Sequence, residues 1–271
     1  MELHGEIPKQ NVIAVIPARY ASSRLPAKLL RDLAGEPLIV HTLRRASEAR
    51  RVTRVIAAVD DERLFAAARN AGFEAIMTSP EHTSGSDRIA EVAASLPGGS
   101  IIVNLQGDEP TISPETIDGA VAAMFENPSS DIVTVCEEIE KPDDVIDPNV
   151  VKVATDAAGF ALFFSRLPIP FPRLAMERFG GWEQAFIAEP HLIKRYKKHA
   201  GLYVYRREFL MRFTKMERSP LEEVEMLEQL RALENGARIL VVDAFGTSIG
   251  VDTLSDLERV REILEDSAGR K

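Results

Sequence analysis

The sequence predicts an α/β fold: a mainly parallel sheet flanked by helices, with a smaller lobe inserted late in the chain. Three observations carry this. Short apolar runs alternate with amphipathic helical stretches through the first half, the pattern of β/α units. Those runs are continuously apolar, as expected of strands buried on both faces. After about residue 140 the alternation breaks, and two strand-like runs adjoin through a tight turn. The 271 residues, 45% hydrophobic, suffice for one large core or a core with an insertion.

The first strand is expected over Val12 to Ala18, followed by a helix over Pro37 to Arg50, since proline is tolerated in a first helical turn. A strand at Arg54 to Val59 and a helix at Asp61 to Ala71 form the next unit, and a helical stretch follows at Ile89 to Leu96. Ser100 to Leu105, Pro114 to Phe125 and Ile132 to Glu137 read as strand, helix and strand, with Ser113 as the cap and Pro114 at the first helical position. Val150 to Arg166 reads as a hairpin turning at Asp156-Ala157-Ala158-Gly159. Pro168, Pro170 and Pro172 then forbid a sustained helix or central strand. The expected division is a core from 1–139 and 211–271 and an inserted lobe from 140–210. A helix over Pro220 to Asn235 should bury a stripe of Leu221, Val224, Leu227 and Leu230 and turn its acids to solvent. A strand at Ala237 to Val242 and a helix from about Ser255 complete the chain.

Composition narrows the function. A formal net charge of −9 argues against the broad basic face of a nucleic-acid binder, while leaving local pockets for small anions open. The lone Cys136 has no internal disulfide partner and sits in an apolar stretch, as a core thiol would. The opening MELHGEIPKQN lacks the apolar core of a signal peptide, and no segment approaches the roughly 18 apolar residues of a membrane span. A cytoplasmic protein is expected.

Ligands of open α/β sheets bind beyond the carboxyl ends of the strands, which directs attention to three loops. PARYASSRLPAK after the first strand gathers Arg19, Arg24 and Lys28 with Ser22 and Ser23 and no acid, suiting either a polyphosphate or a merely solvated basic loop. It matches neither a Walker loop nor a dinucleotide glycine loop. TSGSDR supplies Ser84, Gly85 and Arg88, fit for close approach to a ligand or for an ordinary helix cap. NLQGDEP puts Asp108 where it can hold a hard divalent cation or cap a turn. Asp252 in GVDT is likewise a cap or a second carboxylate for that site, and spacing alone does not bring the two together. His4, His41, His82, His191 and His199 lack metal-ligand spacing, and the two flanking LIKRYKK read as surface residues.

Taken together, VIPARYASSRLPAK, MTSPEHTSGSDR, IIVNLQGDEP, HAGLYVYRREFL, SPLEEVEMLEQLRALENG and GVDTLSDLERV resemble the 3-deoxy-manno-octulosonate (Kdo) cytidylyltransferases, the CMP-Kdo synthetases of bacterial lipopolysaccharide assembly. The resemblance spans about Val12 to Val260 and implies a nucleotidyltransferase-type, Rossmann-like sheet and a homodimer built through the inserted lobe. It implies CTP and Kdo as substrates and Mg²⁺ as cofactor. Arg19, Ser22, Arg24 and Lys28 would then line the triphosphate, with Ser84, Gly85 and Arg88 near the cytidine. Gln106 would face the reacting centre, with Asp108 and Asp252 as the metal ligands. Arg166, His199, Tyr203, Glu228 and Gln229 would form the sugar pocket, which reverses the surface reading of His199 and of the Glu228-Gln229 pair. The chain departs from the family pattern at Val59, in place of a more usual threonine before the acidic pair Asp60-Asp61, at Ala27 in place of a common glycine, and at Glu223 in place of a common histidine. A related transferase acting on 8-amino-Kdo or sialic acid, or a non-catalytic nucleotide-binding module, are the alternatives. Intact Lys28, Asp108 and Asp252 argue against the second.

Overall fold

In the computed structural model, which describes residues 11–22 and 25–268, the elements follow in the order that the β/α rhythm demands. β1 (Val12–Ala18) leads through a 3-10 turn at Lys28–Leu30 to the two-residue strands β2 (Asp32–Leu33) and β3 (Glu36–Pro37) and then α1 (Leu38–Glu48). β4 (Arg54–Val59), α2 (Glu62–Asn70), β5 (Glu74–Met77), α3 (Gly85–Ala94), β6 (Ile101–Leu105), α4 (Pro114–Glu126) and β7 (Ile132–Glu138) complete the alternating half. α5 (Pro142–Ile146), the hairpin β8 (Lys152–Thr155) and β9 (Ala161–Ser165), α6 (Arg173–Phe179) and α7 (Trp182–Ala188) follow. The chain ends with β10 (Lys197–Arg206), α8 (Arg207–Phe213), α9 (Pro220–Glu225), α10 (Gln229–Glu234), β11 (Ile239–Asp243) and α11 (Leu254–Ala268).

The main sheet has nine strands among the described residues, with the continuous order β11-β7-β10-β6-β1-β4-β5 and the β8–β9 hairpin attached to β10. β6, β1, β4 and β5 run parallel, as do β7 and β11, while β10 is antiparallel to both of its neighbours. Every residue of β1 is buried, and its alternating side chains serve two cores. Val12, Ala14 and Ile16 pack with residues of α1, α2, α4 and α11; Ile13 and Val15 pack with residues of α3, α8 and α10. Helices therefore cover both faces, which explains the unbroken apolar strands.

The local chemistry of the caps matches the sequence. Ser113 Oγ accepts from Thr116 N at 3.2 Å with Pro114 at the first helical position. Asp156 Oδ1 accepts from the amides of Ala158 and Phe160 and closes the β8–β9 turn, with Gly159 at φ 84°.

Two expectations are corrected. The chain region expected as a lobe is not separate throughout: β10, inside 140–210, runs through the middle of the sheet between β7 and β6. What stands apart is a small cluster of Ile139, Val145, Phe186 and Tyr196, with Trp182 packed against it. The single helix over Pro220 to Asn235 is instead two, because Met226 adopts φ 53° and interrupts the ladder. The expected stripe is consequently broken: Leu227 and Leu230 are buried, but Val224 is 82% exposed and Glu222 points inward to pair with Arg231 at 3.2 Å. Buried acids with partners, not a solvent face, organise this segment.

Candidate active site

The loops after β1 and β6, the start of α3 and the segment before α11 enclose one pocket beyond the carboxyl ends of the parallel strands. Arg19, Ser22, Lys28, Ser84, Gly85, Arg88, Gln106, Asp108 and Asp252 all line it, so residues expected on the nucleotide side converge although they come from distant parts of the chain. Arg24 lies outside the described residues.

Lys28 is the centre of this arrangement. Ala27, at φ 52°, turns the chain in a left-handed conformation that places Lys28 at the start of the 3-10 turn. Its Nζ donates to Asp108 Oδ2 at 2.5 Å and to Asp252 Oδ1 at 2.9 Å. Burial alone would pull the ammonium's pKa down, but the charges and hydrogen bonds of the two aspartates outweigh it and raise the pKa above the usual lysine value. Asp108 and Asp252 are thus more than the helix caps that spacing allowed: they aim at one cationic point. Two converging carboxylates, with room for phosphate oxygens and water, also suit a small divalent cation.

α3 begins at the pocket wall. Ser84 Oγ accepts from Asp87 N at 3.0 Å, so the cap reading holds, and the helix starts at Gly85, four residues earlier than expected. A Cβ on Gly85 would lie 3.4 Å from Pro17 and 3.7 Å from the Gln106 amide, at van der Waals contact, so the helix start sits directly against the end of β1 and the turn after β6. Arg88 reaches the pocket, but its guanidinium is held by Asp60 Oδ2 at 3.0 Å and by Thr78 Oγ1. Asp60 Oδ1 in turn accepts from Tyr20 N at 2.8 Å. Arg88 therefore braces the loop that follows Arg19 through the carboxylate of Asp60.

The residues expected on the sugar side gather elsewhere, around β10 and the break between α9 and α10. Glu228 accepts from Ser86 Oγ at 2.5 Å, which joins this region to the first turn of α3. Burial raises the Glu228 carboxyl above the usual glutamate range. Gln229 is buried. Gly201, at the irregular pairing of β10 with β7, packs against Gln106 and brings the two regions together. Arg166 donates from Nε to Glu225 O at 2.7 Å and from its terminal nitrogens to the carbonyls of Pro148 and Met226. Its guanidinium is thus engaged with backbone at the α9–α10 break. Sequence reasoning missed the groups that hold it: Glu225, which accepts from Ser165 Oγ and Arg166 N, and Lys152. Each looked like a solvent-facing charge, and only its position in an otherwise apolar or strictly patterned run marked it.

His199 lies against Phe164 and Tyr203, with ring centroids 5.0 and 5.3 Å away. Thr134 Oγ1 gives its proton to Leu202 O, which leaves it to accept from His199 Nε2, 2.9 Å away. Desolvation pushes its pKa down to about 3. The unfolded histidine, near 6.5, takes up a proton that the folded one refuses, so stability is full above about pH 6.5 and falls as pH drops towards 3. Between pH 7 and pH 5 the loss from this group should be about 1–2 kcal/mol. Urea denaturation should show that His199→Gln flattens this slope; an unchanged slope would assign the acid sensitivity elsewhere.

Comparison with known proteins agrees with this architecture. The family model described as cytidylyltransferase matches residues 13–239. The 3-deoxy-manno-octulosonate cytidylyltransferase of Geobacter sulfurreducens is 49% identical over 255 residues, covering 94% of this chain and 100% of that protein. The protein of the same name from Solibacter usitatus is 46% identical over 258 residues, covering 95% and 96%. A solved structure of CMP:2-keto-3-deoxy-manno-octonic acid synthetase complexed with CTP superposes with a TM-score of 0.85 at 37% identity, covering 95% of this chain and 100% of that one. From the family match, the near-complete coverage and the shared architecture it follows that this chain belongs to the cytidylyltransferase family.

Proposed function

We propose that the protein transfers the cytidylyl group of CTP to Kdo, giving CMP-Kdo and pyrophosphate, for lipopolysaccharide assembly. The observation that carries this reading is the convergence of Asp108 and Asp252 on Lys28 in a pocket bordered by Arg19 and the start of α3. A triphosphate brings negative charge that Arg19 and Lys28 offset, while the amides at the α3 N-terminus add favourable dipoles. The anomeric 2-hydroxyl of the sugar attacks the α-phosphorus in line, and the bond to pyrophosphate breaks without a covalent enzyme intermediate. Positioning and charge neutralisation by the chain's own residues supply most of the acceleration.

Mg²⁺ is the cofactor in this reading, and Asp108 and Asp252 would hold it. When bound, it would polarise the α-phosphate and ease ionisation of the attacking hydroxyl. Gln106 would orient the reacting groups. On the sugar side, Arg166 would pair with the carboxylate, and His199, Tyr203, Glu228 and Gln229 would meet the hydroxyls. The same reading takes CTP and Kdo as small soluble substrates and the cytoplasm as the compartment of the reaction. No helix among the described residues is long and apolar enough to cross a membrane.

A pyrophosphate-release assay across nucleotides and acidic sugars tests the reading. Release should require CTP, Kdo and Mg²⁺ together. A preference for ATP or UTP would overturn the cytidine assignment, turnover of another acidic sugar alone the Kdo assignment, and full activity in excess chelator the metal assignment.

A homodimer belongs to the same proposal. Phe171, Leu174 and Ile187 are 61%, 81% and 72% exposed on the segment that includes α6 and α7, an apolar surface that a second copy would cover. Light scattering at micromolar concentration should give twice the chain mass, and Leu174→Glu should shift it towards the monomer. A monomeric wild-type protein would refute the dimer.

A further inference from the structure

Glu109 follows Asp108 directly, is partly buried, and has no part in the chemistry derived above. Its Oε2 accepts from Ser248 Oγ at 2.5 Å. Ser248 lies in the irregular segment between β11 and α11 that delivers Asp252. The same segment meets the QGDEP turn and the residues packed around it at further points, among them Ser248 Oγ 3.4 Å from Thr111 Oγ1. Ser248 N donates to Glu137 Oε1 at 2.9 Å, Ile249 N to Thr111 Oγ1 at 2.8 Å, and Val251 N to Asp108 O at 2.9 Å. Glu137 is itself fixed by Lys198, whose Nζ donates to its Oε2 at 2.9 Å. Gly250 passes directly over Glu109: a Cβ there would lie 3.0 Å from Glu109 Oε1.

These contacts have a common consequence. Asp252 lies two residues before α11, where Asp256 Oδ2 accepts from Asp252 N at 3.1 Å and from Thr253 N at 2.8 Å, so α11 holds one side of the segment and its seat on the turn after β6 sets how closely the carboxylate approaches that of Asp108. The main-chain bonds fix the height of the segment. The Glu109 side chain fills the space beneath Gly250 and ties down Ser248.

We propose that Glu109 is a positioning residue which, through Ser248, seats residues 248–252 so that Asp252 converges with Asp108 on one cation. The proposal rests on the reading that these two aspartates hold the metal. It predicts a defect in metal binding from a residue that does not touch the metal, in the range found for groups that orient metal ligands, about 10–100-fold.

The test uses the full chain with Mn²⁺ as probe, its binding followed by electron paramagnetic resonance in the presence of CTP and without sugar. Thermal melting of each variant runs alongside. Glu109→Ala should weaken Mn²⁺ binding about 10-fold or more, and Ser248→Ala about 3-fold. Glu109→Gln, whose amide oxygen still accepts from Ser248, should stay near wild type. CTP binding without metal should change in none of them. In the Asp252→Asn background, Glu109→Ala should add no further loss.

Asp252→Asn is the control that separates the two ideas. If it leaves Mn²⁺ affinity unchanged, the metal reading fails and the positioning role fails with it. If it weakens Mn²⁺ but Glu109→Ala does not, the metal reading stands and the positioning role is overturned. Should Glu109→Ala not fold, Ser248→Ala decides, since it removes the same hydrogen bond with little loss of bulk; unchanged Mn²⁺ affinity there also overturns the proposal.

Discussion

Asp108→Asn and Asp252→Asn should each lower kcat about 100-fold or more, in line with the several kcal/mol that a catalytic metal contributes through charge stabilisation. Asparagine keeps the size of the side chain and much of its hydrogen bonding, so the fold and the loop contacts survive while the negative charge is lost. CTP binding should weaken far less. Arg19 remains, and in each variant Lys28 keeps one of its two carboxylate partners and is freer to turn to a phosphate. Steady-state kinetics with both substrates varied will separate the effects: kcat should fall in both variants with a small change in the KM for CTP. Near-wild-type kcat in two correctly folded variants would return both aspartates to the role of loop caps.

The parallel half of the sheet was legible because its strands are continuous apolar runs and its helices carry local caps. Ser113-Pro114 is the clearest case, since the cap, the proline and the apolar periodicity agree. Local signals failed where the structure depends on a distant partner. Nothing within LEEVEMLEQLR announces that Met226 will take a left-handed conformation, because the break exists to present carbonyls to Arg166 and the Glu225 carboxylate to Ser165 and the Arg166 amide. β10 was similarly hidden: its place between β7 and β6 is a matter of topology, which the composition of 197–206 does not encode.

The same limit governed the site. The basic loop, QGDEP and GVDT were visible as separate fragments, but their meeting at Lys28 required the fold to bring residues 28, 108 and 252 together. The family resemblance supplied the grouping that spacing did not. It did not supply the supports. Asp60 bracing Arg88, Ser86 reaching Glu228 and Glu109 holding Ser248 are all polar residues whose partners lie far away in sequence.

Lys152 is the strongest of these hidden supports, and its removal should cause the largest loss of stability among substitutions away from the pocket. Its side chain is fully buried on β8, where hairpin alternation alone calls for an apolar residue. Nζ donates to three carbonyls, Asp147 O at 2.9 Å, Val150 O at 2.6 Å and Arg166 O at 2.6 Å, and so closes the base of the β8–β9 hairpin onto the strand end that carries Arg166. Hydrogen bonds from a charged donor each contribute roughly 1.5–3 kcal/mol. Desolvation lowers the ammonium's pKa and offsets part of that gain. Lys152→Met keeps the length of the side chain and removes the desolvated charge, but takes a donor from three carbonyls, of which Asp147 O still accepts from Val150 N at 3.1 Å. The net loss should be about 2–4 kcal/mol, read as a lower midpoint in urea denaturation with an unchanged slope. Because the Arg166 backbone loses its tie, the KM for the sugar should rise more than the KM for CTP. A midpoint within experimental error of wild type would show that water satisfies those carbonyls and that the hairpin base closes without the lysine.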